Sequence, residues 1–139
     1  MAEREGPRSL ARERALGLLY EASLKSLSPS EVIAALAVPP DPFASALVLA
    51  VEADRERIDA LLAAASVDWE LDRMPVLDLS VLRIAVAELI GWHETPVAVV
   101  LNEAVELAKE FSTEESGRFV NGVLSTVAGE VRPGTVGAG

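Results

Sequence analysis

The chain has 139 residues, half of them hydrophobic, and carries a formal net charge of −10. This length and composition fit a single folded domain with a real core and exclude a disordered chain. The chain contains no cysteine, which excludes disulfides, thiolate metal sites and a cysteine nucleophile. Four arginines lie within the first 14 residues whereas the remaining chain is acidic, so a polyanion is expected to bind at that end rather than over the whole surface.

Aromatic residues make up only 4% of the chain, so alanine, leucine, valine and isoleucine must build the core. Alanine and leucine are strong helix formers, which favours an all-α fold. The sequence opens with no signal-peptide pattern and contains no long uncharged apolar run. It therefore predicts a cytoplasmic protein that does not associate with membranes.

The first predicted helix covers residues 10–25, after a polar and mobile start at residues 1–9. Apolar residues repeat in this helix at helical spacing and are expected to face the core. Arg8, Arg12 and Tyr20 are separated by multiples of four, so they are predicted to follow one another along the outer side. Taken alone, this pattern is also typical of a solvated helix face whose arginines cover apolar surface.

Helix-start signals mark the next part of the chain. Ser28 can cap a short helix, and Glu31 completes a capping box with it. An aspartate–proline pair at 41–42 begins a helical stretch that continues to residue 65, as one bent helix or as two. Trp69 is expected to attach the connector that follows to the core.

Residues 76–92 are the most apolar stretch and, drawn as a helix, are hydrophobic on every face. Pro75 fits its first helical position, and a helix of this kind belongs at the centre of a bundle. Its Arg83 would then be buried and would need a carboxylate, because an unpaired buried charge is costly. Glu103 or Glu106 on the next helix is the predicted partner.

Two further helices are predicted after the central one. The first covers residues 97–111, is capped by Thr95, and carries Glu103 largely off its buried stripe. The second covers about 115–130 and is preceded by a Ser-Thr-Glu-Glu capping box. It contains Gly122, and a glycine inside a helix indicates the close approach of another backbone.

Together these elements predict an all-α bundle of about seven helices in a single domain at residues 1–132, followed by a disordered tail at 133–139. Catalytic chemistry is missing, because His93 is the sole histidine, no set of metal ligands surrounds it, and no glycine-rich phosphate loop is present. The sequence therefore predicts a binding protein with no catalytic residues, no cofactor and no metal.

Four stretches of the chain resemble one known family, the NusB family of bacterial transcription antitermination factors. They lie in the expected order and spacing, at residues 11–20, 77–89, 96–111 and 119–124. The resemblance implies two helical sub-bundles around a central apolar helix. It implies binding to boxA RNA of ribosomal RNA leader transcripts with the ribosomal protein NusE, in an RNA polymerase complex containing other Nus factors. Some members form homodimers that hide the RNA surface, so the oligomeric state stays open.

The resemblance also implies a set of RNA-binding residues. They are Arg8, Arg12, Arg14, Tyr20, Asp78, Glu115, Arg118 and Phe119. When proteins bind single-stranded RNA, arginines contact phosphates, aromatic rings stack on bases and polar groups bond to base edges. This chain has Ser9 and Leu10 where many members carry a basic residue, so few phosphate contacts and weak binding by the free protein are expected.

A competing hypothesis stays open at the level of sequence. The same helices fit a scaffold or interaction protein without an RNA role, related to the RNA-binding domain of ribosomal RNA cytosine methyltransferases. A titration with leader RNA, with and without the ribosomal protein, separates the two hypotheses because only the first predicts binding.

Overall fold

The computed structural model of the protein describes residues 6–134, which form seven α-helices and one 3₁₀ turn with no strand. The all-α prediction is therefore confirmed. None of these described helices is long and apolar enough to cross a membrane. Much of the start predicted to be mobile at residues 1–9, and most of the tail predicted to be disordered at 133–139, lies outside the described residues. The elements are α1 (Pro7–Lys25), α2 (Pro29–Ala34), α3 (Pro42–Ala53), α4 (Arg55–Ala65), the 3₁₀ turn (Leu71–Arg73), α5 (Val76–Gly91), α6 (Val97–Phe111) and α7 (Glu114–Val131).

Helix α5 is the centre of the bundle, as its sequence predicts. One group of helices consists of α1, α2 and α3, which pack on one another, and a second consists of α7 with α4 and α6. Helix α5 contacts α1 and α3 from the first group and all three helices of the second. These contacts bury most of its apolar side chains, and they confirm two sub-bundles around a central apolar helix.

Hydrogen bonds between helices fix their directions relative to α5. Ser116 at the start of α7 donates its hydroxyl to Asp78 at the start of α5, at 2.8 Å. At the other end, the guanidinium of Arg132 donates to the backbone carbonyl oxygens of Leu89 at 3.0 Å and Trp92 at 2.7 Å. Helices α5 and α7 are therefore parallel, and α6 returns the chain between their opposite ends.

Most of the predicted helix starts match the structure, and the differences follow from prolines. Helix α1 begins at Pro7, three residues earlier than predicted, because a proline at the first helical position leaves no N–H without a partner. The capping box at Ser28 is present in both directions. Pro75 and Pro96 occupy the cap positions before α5 and α6. The prediction that Thr95 caps α6 is therefore wrong.

At two other boundaries the structure adds to or differs from the prediction. The stretch from 42 to 65 forms two helices, which meet at Asp54 because its backbone (φ −109°, ψ 24°) is not helical. Thr113 caps α7 by accepting a hydrogen bond from the backbone N–H of Ser116 at 3.0 Å. The predicted capping box is incomplete there, since a serine rather than a glutamate occupies the third helical position.

Arg83 has a carboxylate partner, but the predicted partner is wrong. Its Nε and Nη2 donate to Oδ1 and Oδ2 of Asp59 on α4, each at 2.9 Å. The Arg83 side chain is 16% exposed, so this pair lies at the edge of the bundle rather than in its interior. Glu103 contacts a different arginine, and Glu106 pairs with Lys109 at 3.8 Å.

Gly122 is not a site of close helix packing, so that prediction is wrong. The residue is exposed, and a Cβ added to it would meet no heavy atom within 4 Å. The close approach in α7 occurs at Gly117, where a Cβ would lie 2.7 Å from Cγ of Lys109. The position of a glycine within a helix does not show which face it occupies, and that face decides whether anything packs against it.

Candidate nucleic-acid interface

The residues predicted to bind RNA do not form one patch. Arg8 and Arg12 lie at the carboxyl end of α5, where Arg12 pairs with Glu88. Phe119 lies about one helical turn beyond Ser116, whose hydroxyl donates to Asp78 at the opposite end of α5. Asp78 and Glu88 are ten residues apart, which is about 15 Å along a helix axis. The first group, called here the arginine cluster, consists of Arg8, Arg12, Phe43 and Trp92. The second, called the tryptophan cleft, is lined by residues 65–69 with Arg118, Phe119, Gly122 and Val123.

Arg12 is only 5% exposed, so the expectation that it lies on the outer side of α1 is wrong. Its Nε and Nη2 donate to the two carboxylate oxygens of Glu88 at 2.8 and 2.7 Å, and its Nη1 lies 3.4 Å from Glu103. Burial opposes the charge of Arg12, but the hydrogen bonds to Glu88 and the negative charges of Glu88 and Glu103 outweigh it and raise the pKa of Arg12 above its ordinary value. Glu103, predicted to lie off the buried stripe of α6, is buried by this contact. Arg12 therefore joins α1, α5 and α6.

Arg8 is the arginine of this cluster that stays accessible. Its guanidinium carbon lies 3.9 Å from the centre of the Phe43 ring, and Phe43 meets Trp92 edge to face with ring centroids 5.6 Å apart. A cation held over an aromatic face keeps its outer side for an anion. Arg14 is also exposed, but it lies six positions further along α1, about 120° around the helix from Arg8. The two arginines therefore face different directions.

Tyr20 is exposed and lies between the two groups along the bundle. Helix α1 runs antiparallel to α5, because Arg12 near its start contacts the end of α5, and Ser23 near its end shares a depression with Val76 at the start of α5. Tyr20 lies eight residues beyond Arg12, about 12 Å along α1. Along the bundle axis, Tyr20 therefore lies between the arginine cluster and the opposite end of α5.

Asp78 is 3% exposed, so it does not offer its carboxylate at the surface. Its Oδ2 accepts the hydrogen bond from the Ser116 hydroxyl, and its Oδ1 has no hydrogen-bond partner among the described residues. In this arrangement Asp78 connects the start of α5 to the start of α7. Contact with a base would require the carboxylate to be uncovered first.

The tryptophan cleft holds the remaining predicted residues and one that the sequence did not assign to RNA. Phe119 packs against Trp69 with ring centroids 5.3 Å apart and ring planes at 65°. Trp69 is 42% exposed, so it attaches the connector to the bundle only in part. Arg118 lines the cleft, and Glu115 is exposed one turn earlier on α7. The available signal in the sequence was a tryptophan in a short connector of a chain with few aromatic residues.

Residues 6–134 contain no group of three or more histidine, aspartate or glutamate side chains that could hold a metal ion. His93 is exposed in the connector between α5 and α6. The arginine cluster and the tryptophan cleft instead contain accessible guanidinium groups beside aromatic rings. Such side chains bind phosphates and bases without performing a reaction.

The comparisons with known proteins agree along most of the chain. A sequence model of the NusB family matches residues 9–129, which include the whole tryptophan cleft and begin one residue after Arg8. The transcription antitermination protein NusB of Thermobifida fusca is 45% identical over 128 residues, covering 89% of this chain and 90% of the relative. The protein of the same name from Acidothermus cellulolyticus is 48% identical over 124 residues, covering 86% of each chain.

Solved structures share the fold described above. T. maritima NusB superposes with a TM-score of 0.83 at 29% identity, covering 96% of this chain and 98% of that one. A structure of the antitermination factors NusB and NusE in complex with dsRNA gives a TM-score of 0.72 at 29% identity, covering 86% of this chain and 94% of that one. The likeness therefore extends over both sub-bundles rather than over one of them.

Proposed function

The chain belongs to the NusB family, and on that premise we propose that it is a transcription antitermination factor. It binds boxA RNA of ribosomal RNA leader transcripts together with the ribosomal protein NusE and so prevents premature termination. It acts in the cytoplasm, in an RNA polymerase complex with other Nus factors. Residues 1–132 serve as a single RNA-binding domain in this proposal.

The observation that carries the proposal is the 45% identity over 128 residues to a protein named for transcription antitermination. Further support comes from the solved complex of NusB and NusE with dsRNA, whose fold this chain shares over 86% of its length. The chain itself contributes the accessible guanidinium of Arg8, which Phe43 holds at the surface. The family match and this accessible cation together favour RNA binding over a scaffold without an RNA role.

Net charge decides where RNA can approach the protein. With a formal net charge of −10, most of the surface repels a polyanion. Arg8 and Arg14 are exposed on the first half of α1, so the RNA backbone is directed to that helix. Two or three phosphate contacts release few counterions, so the free protein binds weakly and with a shallow salt dependence. A basic ribosomal protein that docks on the acidic surface lowers this repulsion and adds phosphate contacts of its own.

The test is a fluorescence titration of a labelled boxA leader oligoribonucleotide, with and without NusE. We expect NusE to tighten RNA binding, and Arg8→Ala to weaken it several-fold. Loss of one phosphate contact should also reduce the slope of log K against log salt concentration by about 0.7. Arg57→Ala is the matched control, since it removes an exposed arginine from α4 and leaves α1 intact.

The two parts of the proposal fail in different ways. Equal RNA affinity of the Arg8→Ala and Arg57→Ala variants would remove Arg8 from the RNA site. A wild-type protein that binds NusE but gains no RNA affinity from it would contradict the function itself and would favour the scaffold hypothesis.

A further inference from the structure

A separate cavity of about 230 Å³ lies where the end of α1, the start of α2, the end of α3 and the first turns of α4 and α5 meet. It is called here the serine pocket, because three serines line it beside two arginines: Ser23, Ser26, Ser80, Arg55 and Arg83. At about 30 Å³ per water molecule, it has room for a ligand of about seven non-hydrogen atoms. Pockets for larger ligands begin at about 300 Å³, so a nucleotide is too large for this one.

The two arginines bring unused hydrogen-bond donors to the serine pocket. Arg83 donates to the carboxylate of Asp59 through Nε and Nη2, each at 2.9 Å, and Arg55 donates to it through Nε at 3.2 Å. The other N–H groups of both guanidiniums have no hydrogen-bond partner among residues 6–134. Two positive charges against one negative charge leave one positive charge at the pocket wall. Guanidinium groups fixed in this way can bind an anion.

Carboxylates do not oppose an anion inside this pocket. No aspartate or glutamate is among the described residues that line it. Glu52, three residues before Arg55, accepts hydrogen bonds from the backbone N–H of Ser30 at 2.8 Å and from its hydroxyl at 3.0 Å. In a chain with a net charge of −10, a wall that carries positive charge and no carboxylate favours a negatively charged ligand.

The serine pocket also has an apolar side. Leu19 and Val51 line it and are 7% and 0% exposed, and Ser80 lines it at 5%. The pocket therefore reaches into the bundle rather than lying flat on its surface. Ser23 and Ser26 are exposed and can donate hydroxyl hydrogen bonds at its mouth. A ligand that fits has a charged group and a short aliphatic part, because inorganic phosphate would leave the apolar wall without contacts.

We propose that the serine pocket binds a small aliphatic carboxylate, with its carboxylate group at the two arginines and its aliphatic part against Leu19 and Val51. A monocarboxylate carries one negative charge, which balances the one positive charge left beside Asp59. A phosphate monoester carries −1.5 to −2 near neutral pH and would exceed it. This inference goes beyond the proposed function, because neither RNA nor a ribosomal protein takes part in it.

Binding at this position has a consequence for stability. The pocket is lined by helices α1, α3, α4 and α5, which come from both sub-bundles and the central helix. A ligand that contacts all four binds the folded protein and not the unfolded chain. The carboxylate should therefore raise the temperature of thermal unfolding, and the rise should grow with its concentration.

The experiment is a titration of the full chain with isovalerate, followed by the backbone amide signals in NMR spectra. We expect shifts that concentrate in the residues of the serine pocket and a dissociation constant on the order of 1 mM, which is typical of so small a ligand. Isovaleramide has the same shape without the charge and should bind at least about tenfold more weakly. Thermal unfolding with each compound provides the second measurement.

Two variants test the arginines directly. Arg83→Met and Arg55→Met should each weaken isovalerate binding about tenfold, because each removes charge-assisted hydrogen bonds to the ligand. Both variants are expected to fold, since the ion pairs with Asp59 are partly exposed to solvent. Arg57→Met is the matched control, because Arg57 is exposed on the same helix as Arg55 but does not line the pocket.

The remaining outcomes each overturn the inference. If isovalerate shifts no signals of the pocket, the site is absent. If isovaleramide binds as well as isovalerate, or if both arginine variants bind like the Arg57→Met control, the guanidiniums do not recognise the carboxylate. If inorganic phosphate binds the same residues more tightly than isovalerate, the assignment of the ligand to aliphatic carboxylates is wrong. The proposed function is tested by RNA binding and stands or falls separately.

Discussion

The two ends of α5 both combine arginine with aromatic rings, yet one arginine is buried and the other is exposed. In the arginine cluster, Arg12 is buried between Glu88 and Glu103 and joins three helices. In the tryptophan cleft, Arg118 is exposed beside two rings, one of them nearly half exposed. An arginine that meets two carboxylates on neighbouring helices becomes part of the core, whereas an exposed arginine beside aromatic rings keeps its guanidinium accessible to solvent. Helical position alone therefore does not assign a role to an arginine.

The largest expected effect on stability comes from removing Arg12, the buried arginine of the two. Arg12→Ala should lower the free energy of unfolding by about 3–5 kcal/mol, because it leaves Glu88 and Glu103 buried without their cation. Urea unfolding followed by circular dichroism measures the change. Arg14→Ala, on the exposed face of α1, is the control and should stay within about 0.5 kcal/mol of wild type. Similar stabilities of the two variants would show that the arginine cluster does not hold the helices together.

A smaller effect is expected from the buried contact at the other end of α5. Ser116→Ala should lower the free energy of unfolding by about 1–3 kcal/mol, because Asp78 loses its hydrogen bond while its second oxygen has no hydrogen-bond partner within residues 6–134. The same unfolding assay applies, with Thr126→Ala on the exposed side of α7 as control. If both variants unfold alike, the buried carboxylate does not depend on the serine hydroxyl.

The smallest effect is expected at Arg83, which lies between the two ends of α5. Arg83→Met should change the free energy of unfolding by less than about 1 kcal/mol, because its ion pair with Asp59 is partly exposed to solvent. Arg55→Met provides a comparison, since Arg55 pairs with the same carboxylate at 3.2 Å and is more exposed. A loss at Arg83 as large as the loss at Arg12 would mean that solvent exposure does not separate the two arginines.

Features that depend on neighbouring residues in the chain could be predicted from the sequence. The capping box at Ser28 and the cap at Asp41 are present as predicted, because a cap requires only a side chain and the next three backbone amides. The helix at 97–111 begins and ends where its pattern indicates. The apolar character of α5 was sufficient to place it at the centre, because no face of it is suited to water.

Partners that come from distant helices could not be predicted in the same way. Arg12 and Arg83 have similar chemistry, and periodicity does not show that Glu88 and Glu103 converge on the first while Asp59 reaches the second. That choice depends on how the helices are arranged around α5. Trp69 was missed as part of a site because a connector has no helical period from which exposure can be predicted.

The guanidinium of Arg132 closes the end of α5. Besides Leu89 and Trp92, it donates to the carbonyl oxygens of Glu88 at 3.4 Å and Thr95 at 2.5 Å. The last carbonyls of a helix have no partner within that helix, so α5 and its connector depend on a side chain 43 positions beyond Leu89. During translation, the end of α5 therefore lacks these hydrogen bonds until residue 132 has left the ribosome. A chain that stops before that residue leaves the four carbonyl oxygens to water.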